Sequence, residues 1–145
     1  MKLLSELRGA DGHLDLATLV QRIPYAQFLG VHVEQRGNEI TLVMPFKDSL
    51  IGNVMLPALH GGTIGALLEF TAVIQLLAES ESTTLPKTVD FSIDYLRSGR
   101  AETTYARASI AKHGRRVANV QVEAWQSDRG KPIASGHGHF MPSPG

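Results

Sequence analysis

The chain has 145 residues, with fourteen basic and fourteen acidic side chains and no cysteine. This length suits one domain with one core, and the balanced charge gives no global attraction for nucleic acid or an anionic membrane surface. The absence of cysteine excludes disulfides, cysteine-based zinc sites and a cysteine nucleophile. We therefore expect a single cytoplasmic domain, residues 1–145, with neither nucleic acid nor a membrane as its partner.

Two short helices are predicted in the first 24 residues. The first ends at the glycines of residues 9–12, and the second begins at the capping Asp15 and ends at Pro24. Ser5 and Glu6 come too early for the apolar core of a signal peptide. The core is expected to run from about residue 25 to residue 141, with the last residues as a tail.

The sequence pattern changes after these helices to the period of two that is typical of strands. Residues 31–36 and 39–45 alternate in polarity around a Gly37-Asn38 hairpin turn, so they predict strand, turn and strand. Residues 46–59 have no periodicity and are predicted to be a loop that leads to the next helix.

A long apolar helix is predicted at residues 59–80. Its Leu, Ile, Val and Phe side chains fall on every side of the helical wheel, which indicates a helix surrounded by protein. Glu69 lies inside this segment, where a carboxylate loses hydration, so it requires a functional or structural reason. Glu69 and Gln75 also argue against a membrane span.

Four further strands are predicted after this helix, within residues 88–96, 103–113, 115–127 and 132–141. Their short turns favour antiparallel neighbours, and only a curved sheet can bury a helix that is apolar on all sides. The prediction is an α+β hotdog fold, with an antiparallel sheet wrapped around one long central helix.

The segment Leu59-His60-Gly61-Gly62, followed nine residues after the histidine by Glu69, carries a family resemblance. With residues 90–97 and 114–117, it resembles the hotdog-fold acyl-CoA thioesterases of the phenylacetate-degradation and 4-hydroxybenzoyl-CoA thioesterase type. The resemblance spans about residues 23–140. It implies hydrolysis of an acyl-CoA thioester to a free acid and CoA, at sites on a dimer interface.

Chemical roles for this segment follow from what thioester hydrolysis requires. The Gly61 N–H lies at the positive end of the helix and suits the developing oxyanion. Glu69 is a candidate for the general base or for the nucleophile, and the sequence does not distinguish between these two roles. Asn53 is a candidate for orienting water or the carbonyl, although its loop is one residue longer than is usual in the family. His60 is a candidate for direct catalysis or for capping the helix.

The spacing of His60 and Glu69 predicts self-association. Nine helical residues rise roughly 13 Å and turn about two and a half times, so one thioester carbonyl cannot contact both ends within one chain. If both ends act on one bond, Gly61 comes from one subunit and Glu69 from another. A homodimer with two equivalent sites is therefore expected. A homotetramer is the alternative, and the spacing does not distinguish it from the dimer.

Binding of the CoA part of the substrate is assigned to Gly62, Arg97, Arg115 and Arg116. Gly62 allows close approach to the backbone, and the arginines supply cations for the phosphates. No separate cofactor is expected. No metal is predicted either, because His137 and His139 share a strand face without a third ligand nearby.

Two features of the site stay open at this stage. Val73 occupies the place where some relatives carry a hydroxyl that orients the acid, which leaves Ser82, Thr83 and Thr84 as candidates by rough position. Acyl specificity depends on pocket depth, and the residues considered for the pocket wall are Tyr25, Phe46, Leu68 and Ala72.

The sequence leaves two alternatives to hydrolysis of acyl-CoA. An acyl-carrier-protein thioesterase and a non-catalytic acyl-CoA binding or sensing module remain alternatives. A dehydratase on this fold would require an Asp/His pair that this spacing does not provide. A serine hydrolase is disfavoured because the sequence has no G-x-S-x-G.

Overall fold

A six-stranded antiparallel sheet curves around one long helix in the computed structural model of the protein, which describes residues 2–82 and 84–142. The order of the strands in this sheet is β1-β2-β6-β7-β8-β5, and β3 and β4 form a separate short hairpin. The helices are α1 (Lys2–Leu7), α2 (Leu16–Gln21), α3 (Pro24–Leu29) and α4 (Gly61–Ala78). The strands are β1 (His32–Arg36), β2 (Glu39–Met44), β3 (Ile51–Asn53), β4 (Ala58–Leu59), β5 (Lys87–Tyr95), β6 (Thr104–His113), β7 (Ala118–Trp125) and β8 (Ala134–Met141).

The core lies between α4 and the concave face of the sheet. Alternate residues of the central strands point toward the helix and are buried, and many of them are small, which lets the helix approach closely. They include Leu42, Met44, Ala106, Val120, Val122 and Ala124. The predicted arrangement of sheet and central helix is thus confirmed.

One face of α4 is less covered than the rest of the helix. Ala66, Glu69, Phe70 and Val73, spaced by three or four residues, are half-buried, whereas Leu67, Leu68 and Ile74 are fully buried. By length and composition alone α4 is apolar enough to span a membrane, yet 56% of this segment is buried inside the protein. The sheet therefore covers most of α4 and leaves a half-exposed stripe that contains Glu69.

Strand β5 forms one edge of the sheet and contacts α4 at Gly61 and Gly65. It pairs with β8 along nearly its whole length, from Lys87 opposite Met141 to Tyr95 opposite Ala134. Its side chains Phe91, Ile93 and Tyr95 alternate with polar residues, as the sequence predicted. On the side of β5 that faces away from β8, the sheet has no further strand among the described residues.

Two local predictions were wrong. The chain was expected to leave its N-terminal helices at Pro24, but Pro24 is the first residue of α3, where a missing N–H costs nothing. Residues 46–59 were expected to be a loop, but they contain a 3₁₀ turn at Asp48–Leu50 and the β3–β4 hairpin. The tail predicted at 141–145 lies, from residue 143 onward, outside the described residues.

Candidate active site

The N-terminus of α4 is capped by the side chain of the residue before it. His60 has extended backbone angles, and its Nδ1 accepts a hydrogen bond of 2.8 Å from the Gly62 N–H. The N–H groups of Thr63 and Ile64 both donate to the His60 carbonyl oxygen. Among residues 2–82 and 84–142, the Gly61 N–H has no acceptor, so it is the free donor of this first turn. Gly62 was assigned to CoA, but in this protomer its N–H is engaged by His60.

Tyr95 contacts this helix start from the end of β5. Its hydroxyl donates a hydrogen bond of 2.8 Å to the Gly61 carbonyl oxygen. A Cβ placed on Gly61 would lie 3.3 Å from three atoms of the tyrosine, so its ring edge lies close against the Gly61 backbone. In the sequence, Tyr95 is only one of the alternating residues of a predicted strand. The contact depends on the position of β5 beside α4, which no local pattern contains.

Glu69 lies on the half-exposed stripe of α4. Within the described part of the chain its carboxylate makes no hydrogen bond and no ion pair. Glu69 follows Gly61 by eight residues, so their Cα atoms are about 12 Å apart along the helix axis. The free donor and the free carboxylate are therefore too far apart to act on one carbonyl group within one protomer.

Asn53 is the last residue of β3 and lies at the start of the turn that connects β3 to β4. Its Oδ1 accepts hydrogen bonds from the backbone N–H groups of Met55 (3.0 Å) and Leu56 (3.3 Å). The side-chain oxygen thus serves the turn, and the amide hydrogens remain as donors. The tip of this hairpin is apolar and exposed, with Met55 at 88% exposure.

Of the hydroxyl residues named as candidate partners for Glu69, Ser82 and Thr84 follow the C-terminal end of α4. Ser82 donates from its Oγ to the Thr84 carbonyl oxygen beyond the C-terminal end of α4. The Thr84 hydroxyl is buried and has no hydrogen-bond partner within the described part of the chain. Thr83 lies outside the described residues.

A groove begins at the start of α4 and leads to a region that carries both basic and acidic side chains. One part, of about 360 Å³, is lined by Gly61, Tyr95 and Arg97, among others. An adjoining part of about 370 Å³ shares Arg97 and adds two cations and two acids. These are Arg100, Lys131, Glu102 and Asp128. Arg97 is held in place by a hydrogen bond from its Nε to the Pro132 carbonyl oxygen, 3.0 Å long.

Arg115 and Arg116 lie far from this groove within one protomer. They are exposed in the turn after His113, which pairs with Ala118. This turn lies at the end of the sheet where β5 begins, whereas Gly61 lies beside the last residue of β5. Eight strand residues separate the two ends of β5, a distance of some 26 Å. Of the three predicted phosphate ligands, one therefore lies beside Gly61.

His137 and His139 lie on the polar side of β8, which faces away from α4. The Nδ1 of His139 is 2.8 Å from the Asp90 carboxylate. This hydrogen bond lowers the pKa of Asp90 below its ordinary value. The two histidines therefore belong to a surface network on the outer face of the sheet, and they do not join Glu69 and Gly61.

Comparisons with known proteins give a consistent family. The family model described as the Thioesterase superfamily matches residues 56–133, a segment that includes His60, Gly61 and Glu69. The medium/long-chain acyl-CoA thioesterase YigI of Escherichia coli K12 is 29% identical over 118 residues, which are 72% of this chain and 76% of that protein.

Solved structures agree with the fold. A crystal structure from Chromobacterium violaceum is 40% identical, covers 99% of this chain and 98% of its own, and superposes with a TM-score of 0.77. A protein from Shewanella oneidensis related to the thioesterase superfamily is 25% identical, with coverage of 98% and 96% and a TM-score of 0.76.

Proposed function

The chain belongs to the thioesterase superfamily and is a thioester hydrolase, and we propose that it hydrolyses medium- and long-chain acyl-CoA at two sites of a homodimer. The observation that carries this proposal is the pair of unengaged groups on α4. These are the free Gly61 N–H at its start and the half-buried carboxylate of Glu69 eight residues later. The chain length follows the name of the Escherichia coli relative.

The proposed chemistry uses the two groups in different steps. The Gly61 N–H binds the thioester carbonyl oxygen and stabilises the oxyanion as the carbonyl is attacked. Glu69 either removes a proton from the attacking water or attacks the carbonyl itself, and the CoA thiolate leaves in both routes. No cofactor takes part, because CoA belongs to the substrate.

The two groups can meet across a two-fold axis. In one protomer, Tyr95 of β5 lies beside Gly61 of α4, and Ile93 lies beside Gly65. A Cβ placed on Gly65 would be 2.8 Å from Ile93 Cδ1. Four helical residues rise about 6 Å and two strand residues about 6.7 Å, so the helix and strand stay in step. Continuing this correspondence by four helical residues makes Glu69 level with Phe91.

This correspondence gives a register for the dimer. We propose that the free edge of β5 pairs antiparallel with the same strand of a second protomer, because an unpaired edge strand is a template for another strand. If the axis passes through Ile93, Tyr95 lies opposite the partner's Phe91. Gly61 is then level with the partner's Glu69, and the half-exposed stripes of the two helices face each other.

A single cysteine tests this register, because the natural chain has none. In Ile93→Cys the two cysteines lie opposite each other near the axis. Their Cα atoms are then within the roughly 4.4–6.8 Å that a disulfide needs. Mild oxidation is expected to give a covalent dimer on a non-reducing gel.

The control for this experiment is Val89→Cys, an exposed position at the bulge near the start of the same strand. Its two thiols would be roughly 26 Å apart in this register, so it should stay monomeric on the gel. A covalent dimer from Val89→Cys, or none from Ile93→Cys in a protein that is dimeric in solution, would contradict the axis at Ile93.

The groove suggests a path for the coenzyme. We propose that the pantetheine arm follows the groove past Tyr95 and that the phosphates lie near Arg97, Arg100 and Lys131, the cations along its second part. We propose Arg115 and Arg116 as phosphate ligands only for a CoA molecule that is bound at the site of another protomer.

Release of free thiol from a panel of acyl-CoAs tests the activity itself. We expect kcat/KM to rise from acetyl-CoA to medium- and long-chain substrates, because Phe70, Val73 and Phe91 offer apolar surface beside Glu69. Acyl-carrier-protein substrates and aromatic acyl-CoAs belong in the same panel. Binding of acyl-CoA without thiol release would overturn hydrolysis and favour a sensing module.

A further inference from the structure

We propose that Tyr95 is a positioning residue for the oxyanion donor, and that Tyr95 and His60 together hold one peptide group at the start of α4. This inference rests on the proposed function, since it assigns the Gly61 N–H to the oxyanion. Tyr95 acts through the backbone of Gly61 and needs no contact with the reacting atoms.

The peptide group between Gly61 and Gly62 is bound at both of its polar ends. Its carbonyl oxygen, on Gly61, accepts the hydrogen bond from the Tyr95 hydroxyl at 2.8 Å. Its N–H, on Gly62, donates to Nδ1 of His60, also at 2.8 Å. Two side chains from different elements thus fix the plane of a single peptide.

Fixing this peptide also orients the neighbouring one. The peptide between His60 and Gly61 carries the free N–H, and the two groups share the Gly61 Cα atom. Two successive glycines leave the backbone more freedom than any other pair of residues would. An oxyanion donor is effective only when it is oriented before the reaction, so the two side-chain hydrogen bonds supply the rigidity that the glycines lack.

The close packing of Tyr95 on Gly61 supports the same conclusion. A Cβ on Gly61 would be 3.3 Å from Cε1, Cζ and the hydroxyl oxygen of Tyr95, which is tighter than ordinary contact. Glycine at position 61 therefore permits the approach that places the hydroxyl on the carbonyl. Tyr95 is nevertheless 54% exposed, so its hydrogen bond is not a requirement of core packing.

Tyr95→Phe removes the hydroxyl and keeps the ring. We expect kcat to fall about tenfold with KM within about twofold, because deleting an oxyanion donor outright costs about 10²–10³-fold and here the donor is only loosened. The melting temperature should change little. The control is Tyr105→Phe, which removes a hydroxyl from a tyrosine on the outer face of the sheet, stacked on Trp125. It should leave kcat and KM unchanged.

A double-mutant cycle tests the joint action of the two side chains. If Tyr95 and His60 hold one peptide, then Tyr95→Phe combined with His60→Ala should lower kcat by less than the product of the single effects. Amide exchange at Gly62, followed by NMR, should be faster in each single variant. A purely structural role would lower the melting temperature and leave kcat and the exchange rate in place.

The outcomes separate this inference from the proposed function. If wild-type protein releases thiol and Glu69→Gln does not, the function stands. Wild-type kcat in Tyr95→Phe, or strictly multiplicative effects in the cycle, would then overturn the role of Tyr95 alone. If wild-type protein releases no thiol from any acyl-CoA while Gly62 exchange still responds to both variants, the proposed function fails and the peptide contact remains.

Discussion

Replacing Glu69 by glutamine is expected to lower kcat by roughly 10²–10⁴-fold, the range that positioned acid–base groups contribute. Glutamine keeps the shape of the side chain but can neither accept a proton from water nor attack a carbonyl. Folding should be unaffected, because the Glu69 carboxylate is half-buried and has no partner within the described part of its own protomer. The measurement is the initial rate of thiol release at saturating acyl-CoA, with circular dichroism and the melting temperature as folding checks.

The matched control is Glu79→Gln, at the C-terminal end of the same helix. The Glu79 carboxylate accepts a hydrogen bond of 2.7 Å from Gln75 and is exposed to solvent. Its replacement also removes one negative charge, here from the residue that follows α4, so a general charge effect would appear in both variants. Wild-type turnover in Glu69→Gln, or equal losses in both variants, would remove Glu69 from the mechanism.

The parts of this fold that local physics determines were predictable from the sequence. The turn at Gly37 needs a positive φ, which glycine adopts at 61°, so the β1–β2 hairpin could be placed within a residue or two. Helix α4 was recognisable because its length and apolar residues leave few alternatives. Asp15 was correctly identified as a cap, and its side chain accepts a hydrogen bond from the Thr18 N–H.

The parts that depend on which strands become neighbours were not predictable. Strand β5 follows α4 in the chain but pairs with β8, the last strand, and this places Tyr95 against Gly61. An alternating pattern gives the face of each side chain and leaves its strand's neighbours unspecified. The half-exposed stripe on α4 was missed for a related reason. A helical wheel that is apolar on all sides does not tell which side of the helix the sheet leaves uncovered.

The structure shows which contact the His60 side chain makes at the start of α4. The sequence allowed direct catalysis or capping, and the hydrogen bond from the Gly62 N–H to Nδ1 identifies the capping contact. In the neutral ring this leaves the proton on Nε2. Together with Tyr95, the cap makes the first turn of α4 a rigid donor, whereas the carboxylate it would work with is two turns away.

That separation leads to the prediction with the clearest contrast between outcomes. Glu69→Gln removes the carboxylate, and Gly61→Val places a side chain beside the free N–H, where even a Cβ would be 3.3 Å from the Tyr95 ring. Each homodimer is expected to be nearly inactive. In a heterodimer of the two variants, one site would combine an intact Gly61 with an intact Glu69 from the partner, and the other site would carry both changes.

Heterodimers purified through two different affinity tags should therefore regain about half the wild-type rate per dimer, since one of two equivalent sites is restored. Both parental variants, taken through the same unfolding, mixing and refolding, serve as controls for reconstitution. If the site lay within one protomer, every site in the heterodimer would still carry one defect and no activity would return. The 12 Å or so between Gly61 and Glu69 along α4 argues for recovery, because no single chain brings both groups to one carbonyl.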